Sequence, residues 1–343
     1  MPSFRPANPR RRMTALATAA TLATVGLCAA AAPSSAASRR DRVAYVTDIT
    51  SNSVSVLDTD TDTITATISG FDDPTVVAVS PDGDAAYVVN ENNSTVSVIN
   101  TKTDTIAATI TVGFSPYGVA VSPDGHRAYV SNNDDTISVI NTKTDTVIAT
   151  ITVAGIPAGL VVSPNGKTLY VATAALNGSD AVVTAINTST DQITTEIPVG
   201  GFPYNMATSP DGDALYVTCS TTSSVDVIDT KTDTVTASIP VPFQPLVVAV
   251  APNGKTGYVT SGSPSGSNGV SVIDLKTDTV TGFIRTGSSY AFGVATSRNG
   301  AAVYVTNYGI DTVSVIDAKT DTITATISGF TQPQSIALRP AKP

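Results

Sequence analysis

The chain of 343 residues is 41% hydrophobic and only 14% charged, and it carries 19 Lys and Arg against 28 Asp and Glu. A net charge of −9 repels phosphate backbones and anionic headgroups, which argues against nucleic-acid partners and electrostatic adsorption to membranes. One histidine and two cysteines leave little material for acid–base, metal or disulfide chemistry.

The first predicted element is an export leader. Arg5 and the run Arg10, Arg11 and Arg12 precede an apolar stretch from Met13 to Ala32, and small residues follow at Ser34, Ser35, Ala36 and Ala37. This pattern predicts a secretory signal peptide over residues 1–37 and an exported protein, extracellular or associated with the cell envelope. Cleavage would leave 15 basic residues against 28 acidic ones, a net charge of −13. It would also remove Cys28 and leave Cys219 alone, so no intrachain disulfide can form. No later segment approaches the roughly 20 continuous apolar residues of a membrane span. A short linker, residues 38–42, leads into the body of the chain.

From Val43 onward one unit recurs. Its tyrosines fall at Tyr45, Tyr87, Tyr129, Tyr170, Tyr216, Tyr258 and Tyr304, spaced 42, 42, 41, 46, 42 and 46 residues apart. In the third copy four short, β-branched segments are bounded by turn residues: strand a over Gly118 to Ser122, b over Arg127 to Ser131, c over Ile137 to Ile140 and d over Thr146 to Ile151. Turns such as Ser122-Pro123-Asp124-Gly125 join a to b, where proline presets φ and glycine takes the positive φ. Runs such as Asn141 to Thr146 join c to d and can cap their own amides through Asx and Thr side chains. Repeats of this length built from strands predict an all-β, seven-bladed β-propeller over residues 43–340, with a tail at 341–343. The chain begins at a b strand, Val43 to Thr47, and ends on an a strand, Gln334 to Arg339, so one blade must be completed by both termini.

The tetrapeptide Tyr304-Val305-Thr306-Asn307 has near copies at Tyr45-Val46-Thr47-Asp48 and Tyr129-Val130-Ser131-Asn132. On these residues the chain resembles the YVTN-repeat β-propellers of secreted and surface-layer proteins. The resemblance implies the fold and a range of functions: binding proteins, surface-layer components, subunits of amine-oxidising enzymes and lactone hydrolases.

Copies that diverge point to function. The b–c and d–a connections share one face, and two b–c loops there, Thr173 to Ala181 and Ser261 to Gly269, are longer than their siblings. The same face carries Tyr117, Tyr204, Tyr290 and Tyr308, which do not repeat, and these are the leading ligand contacts. Phe114 and Phe202 belong to a recurring arrangement, Gly-Phe shortly before a proline, that reads first as a wedge between blades; they complete the candidate set with Asn132 and Asn205. The expected occupant of this face is a small molecule, a glycan or a protein.

Catalytic and metal-binding patterns are weak. His126 follows an a–b turn without a nucleophile or ligand partners in its motif. Asp58-Thr59-Asp60-Thr61-Asp62 lacks the glycine and glutamate of an EF-hand, and its siblings carry lysine in place of Asp60. The leading expectation is therefore a non-catalytic binding or interaction module without cofactor. One alternative is a lactonase or lyase with a divalent cation in the central channel, held by Asn205, Gln334, Glu91 and Asn132. Another is the propeller subunit of a redox complex similar to the amine dehydrogenases.

Overall fold

A computed structural model describes residues 42–174, 181–262, 268–288 and 290–340. The leader, most of the linker, the tail and the tips of the two long b–c loops lie outside the described residues. Seven four-stranded antiparallel sheets form a ring, and the first blade takes its inner strand from the C-terminus: Pro333–Leu338 pairs with Val43–Asp48, followed by Ser53–Asp58 and Thr63–Ser69. The expectation of an all-β seven-bladed propeller closed by both chain ends holds. Blade 3 shows the repeat, with strand a at Pro116–Val121, b at Arg127–Asn132, c at Thr136–Asn141 and d at Thr146–Thr152, each within two residues of the range expected from the sequence.

The turns close as their chemistry dictates. In the a–b turn of blade 3, Ser122 Oγ donates to Asp124 and Asp124 accepts the amide of His126 at 2.9 Å. In the c–d turn, Asn141 accepts the amides of Lys143 and Thr144. The next aspartate, Asp145, sits at φ 52°, and its equivalents Asp62, Asp104, Asp191, Asp233, Asp278 and Asp321 do the same at 52–55°. The left-handed region is open to aspartate, which hydrogen-bonds locally there. The Asp58 to Asp62 run is one of these turns: Asp58 caps the amides of Asp60 and Thr61, and Asp60 pairs with Arg42.

The tetrapeptide is a joint between blades. Its tyrosine is buried and reaches the c–d turn of the next blade; Tyr45 donates to Asp104 at 3.0 Å, and Tyr304 donates to the Thr59 carbonyl at 3.1 Å across the ring closure. Its hydroxyl residue, third in order, accepts an amide of its own strand a and donates to a carbonyl of the next blade's strand a. Thr306 thus bonds the Gly293 amide at 2.7 Å and the Gln334 carbonyl at 2.9 Å. Thr47, Ser131, Thr218 and Thr260 make the same bond to Thr75, Ala158, Leu246 and Phe292. Its asparagine staples the blade's own b–c hairpin, as Asn307 does through Thr312 and Ser314.

The core accordingly lies between blades. Tyr45, Val54 and Val56 of blade 1 pack with Val77, Ala86 and Ile99 of blade 2, and the closing cluster joins Tyr304, Val313 and Ile327 of blade 7 to Ala44, Leu57 and Ile336 of blade 1. We expect Thr306→Val to lower stability by about 1–3 kcal/mol, because it strands two buried backbone groups while keeping side-chain volume. A urea midpoint unchanged from the parent would refute the joint.

Candidate functional site

Every a strand carries a register shift opposite its b strand, as between Pro203 and Met206 or Ala291 and Val294. A bulge re-aims side chains, and here it turns the second and third residues of the strand toward the axis. The residues that follow the opening proline, or Ala291 in blade 7, make a ring at the mouth of the channel on the loop face: Thr75, Tyr117, Ala158, Tyr204, Leu246, Phe292 and Gln334, in blade order 2 to 7 and then 1. Aromatic residues stand at blades 3, 5 and 7 and lean across the shorter side chains between them. Tyr117 meets Tyr204 over Ala158 with ring centroids 5.7 Å apart at 87°, and Tyr204 meets Phe292 over Leu246 at 6.1 Å and 68°. The chain of rings continues through Tyr308, 6.3 Å from Phe292, to Tyr290, 6.4 Å from Tyr308.

Beneath the rings the next residues include four small ones, Gly118, Gly159, Gly293 and Ser335. Gly159 lies so close to the neighbouring strand that a Cβ there would stand 2.7 Å from the Tyr204 carbonyl oxygen, and a Cβ on Gly293 would stand 2.7 Å from that of Gln334. Glycine thus lets the a strands converge and leaves a cavity of about 90 Å³, lined among others by Tyr117, Tyr204, Asn205, Phe292, Gln334 and Ser335. That is room for a few waters or one compact group, well below the roughly 300 Å³ at which drug-sized pockets begin.

The phenols at the mouth are only half-buried by area, yet protein surrounds them on every side of the axis. Burial pushes Tyr204 up to about 12 and raises Tyr117 well above the ordinary phenol range, and the negative charge of Glu91 adds to both. Glu91 follows strand b of blade 2 and accepts a hydrogen bond from Ser115 at 3.4 Å. The two blades that precede Tyr117 and Tyr204 lack the joint hydroxyl, since Val89 and Ala172 stand where threonine or serine stands elsewhere. Thr75 completes the ring with a side chain 2% exposed whose Oγ1 carries no hydrogen bond.

The structure therefore brings together the four non-repeating tyrosines singled out in the sequence and adds Phe292. Asn205 joins them as a channel residue, its side-chain oxygen accepting the Val248 amide of the next blade at 3.3 Å. The other candidates stand elsewhere. Asn132 is fully buried in its own hairpin, donating to Thr136 and Ser138, so it is a structural staple like Asn90 and Asn307. Phe114 is 69% exposed in a d–a loop and wedges between no blades, whereas its repeat equivalents Phe71 and Phe330 are buried between blades as expected. Phe202 is half-buried at φ 39° and takes no part in the chain of rings. His126 is exposed on the opposite face.

Charge divides the two faces. Of twelve described Lys and Arg residues, eleven lie at the a–b and c–d turns or the strand ends beside them, and only Arg285 lies on the loop face, set over the Phe283 ring on an outer strand. Among the described residues the loop face holds Asp48, Asp72, Asp73, Glu91, Asp134, Asp135 and Asp311 from blades 7, 1, 2 and 3, while the buried Asp226 of blade 5 accepts the Gly200 amide of a d–a loop.

Of the four metal candidates considered from sequence, Asn205 and Gln334 line the channel cavity, whereas Asn132 is bonded within its own hairpin. Among the described residues no three His, Cys, Asp or Glu side chains come together. Also among the described residues, no helix is long and apolar enough to cross a membrane.

A family model described as lactonase, 7-bladed beta-propeller, matches residues 74–238, which span blades 2 to 5 and just under half of the chain. No curated protein matches the chain. Among solved structures it is similar to the hydrazine synthase of Kuenenia stuttgartiensis, at 23% identity and TM-score 0.70 over 76% of this chain and 88% of that one. It is similar to a functionally unknown protein from Desulfotomaculum acetoxidans DSM 771, at 17% identity and TM-score 0.76 over 86% and 98%. It is also similar to the dihydro-heme d1 dehydrogenase NirN in complex with DHE, at 14% identity and TM-score 0.67 over 87% and 75%. At these identities the likeness establishes the seven-bladed fold alone.

Proposed function

We propose that the protein is an exported, non-catalytic propeller of the YVTN-repeat kind that binds its ligand at the axial mouth of the loop face. The observation that carries this reading is the convergence of Tyr117, Tyr204, Tyr290 and Tyr308 with Phe292 over a channel cavity. Nothing in the repeat requires aromatic residues there, since Ala158, Leu246 and Thr75 fill the same ring position in other blades. The turn face is chemically uniform and committed to capping, so recognition falls to the other side. A thermal-shift screen of small molecules and oligosaccharides tests the reading. A stabilising compound should lose its shift with Tyr117→Ala or Tyr204→Ala; an undiminished shift in both variants would remove the site from the mouth.

A metal-dependent lactonase is the second reading, favoured by the match over residues 74–238. Among the described residues no three His, Cys, Asp or Glu side chains come together, and we derive no step through a metal. Stoichiometric divalent metal in purified protein, together with chelator-sensitive lactone hydrolysis, would reverse the order of the two readings.

A further inference from the structure

We infer that the mouth of the channel receives a compact organic ammonium group, with Tyr117, Tyr204 and Phe292 as its aromatic walls and Glu91 as its counter-charge. This rests on the reading of the loop face as a binding surface and names the class of ligand.

The geometry of the rings comes first. Successive rings at the mouth are turned by 87° and 68°, so they stand like adjoining walls instead of a flat stack. Walls of that kind, each with a negative face, are what a tertiary or quaternary ammonium requires, because its charge is spread over alkyl groups that tolerate an apolar lining. Charge comes second. Glu91 stands beside the mouth, accepting a hydrogen bond at 3.4 Å from Ser115, two residues before Tyr117, and its negative charge raises both phenols. Among the described residues the loop face has one cation, which lies on an outer strand, and seven carboxylates gathered on blades 7, 1, 2 and 3. Across that sector an anionic ligand meets repulsion, whereas a cation is drawn in. Size comes third. A cavity of about 90 Å³ admits a head group and leaves the remainder of a larger molecule on the outer loops.

Three of the loop-face carboxylates also serve as caps, Asp48 accepting the Thr331 amide at 3.0 Å, Asp134 the Phe114 amide at 3.0 Å and Asp311 the Gln332 amide at 2.7 Å. Capping orders them without neutralising them. They supply the sign of the field, and the rings supply the site.

Isothermal titration of the intact protein with tetramethylammonium, choline and 3,3-dimethylbutan-1-ol, the uncharged counterpart of choline, decides the matter. We expect the two ammonium ions to bind at least about tenfold more tightly than the alcohol, and to weaken as salt rises through the screening range. Glu91→Gln should weaken choline by about tenfold, a loss that follows from removing one charge near the ligand, while leaving the melting temperature in place. Tyr204→Phe should keep the affinity and Tyr204→Ala should abolish it. Equal binding of the alcohol would overturn the ammonium assignment while upholding a binding site at the mouth. Failure of all three probes, with another compound bound at the mouth, would overturn the assignment as well. Failure of every compound in the wider screen would instead sink the reading on which it rests. Binding to phosphatidylcholine vesicles without binding of free choline would overturn the soluble ligand class proposed.

Discussion

A chain that stops at Phe330 is expected to become insoluble or to melt at least about 10 °C below the full-length protein. The lost segment supplies the inner strand of blade 1, where Ala44, Tyr45 and Val46 pair with Leu338, Ala337 and Ile336. Its removal bares the edge of Val43–Asp48, a strand buried along nearly its whole length, and an unpaired apolar edge seeks another chain. It also withdraws Ile336 from the closing cluster and the Gln334 carbonyl from Thr306. Arg339, 5% exposed, would no longer meet Asp84 at 3.6 Å on the neighbouring blade. Together these losses approach the 5–15 kcal/mol that separates a typical folded domain from its unfolded chain, and each kcal/mol is worth roughly 2–4 °C in a domain somewhat smaller than this one. Light scattering and differential scanning calorimetry provide the check. A truncated protein that melts with the parent would mean that the seventh interface contributes nothing.

Alkali is expected to unfold the ring cooperatively between about pH 10 and 12. Tyr87, Tyr216, Tyr258 and Tyr304 are each at most 4% exposed. Burial pushes all four from 10 up to about 12, and the carboxylate in the next blade's c–d turn adds to it. The folded state keeps these protons at a pH where the unfolded chain has released them. Their contribution is therefore fully present below pH 10 and is lost as pH climbs through 12. A shift of two units corresponds to about 2.7 kcal/mol per tyrosine, so four of them reach the order of the whole stability. Circular dichroism and phenolate absorbance should change together and steeply. Tyrosines that titrated one by one near pH 10, with the fold intact, would contradict their role as buried joints.

The architecture was legible because each blade repeats the same local instructions. Ser-Pro-Asp-Gly and Asn-Thr-Lys-Thr-Asp announce their turns through proline, glycine and Asx chemistry, and both are seen with the expected bonds. The tyrosine period gave the blade count for the same reason. Partners across blade boundaries were not legible, because a bond from Thr47 to the Thr75 carbonyl depends on the angle between sheets that no single repeat encodes. This is why Asn132 was expected at the site when its amide serves its own hairpin. Phe292 is absent from the sequence candidates because Ala291 precedes it where the other blades place the proline that marks this register. Lining up the copies on the residue that follows the opening proline of strand a, or Ala291 in blade 7, would have shown Tyr117, Tyr204 and Phe292 in one register. The same alignment exposes Val89 and Ala172 as the two departures from a hydroxyl at the joint.

Seven is an odd number, and two kinds of residue cannot alternate perfectly around an odd circle. Aromatic side chains occupy blades 3, 5 and 7 of the mouth ring, so the mismatch must fall between blades 1 and 2, where Gln334 and Thr75 stand side by side with no aromatic ring between them. Parity thus breaks the sevenfold symmetry of the ring, and its one polar gap falls inside the sector that bears the described carboxylates.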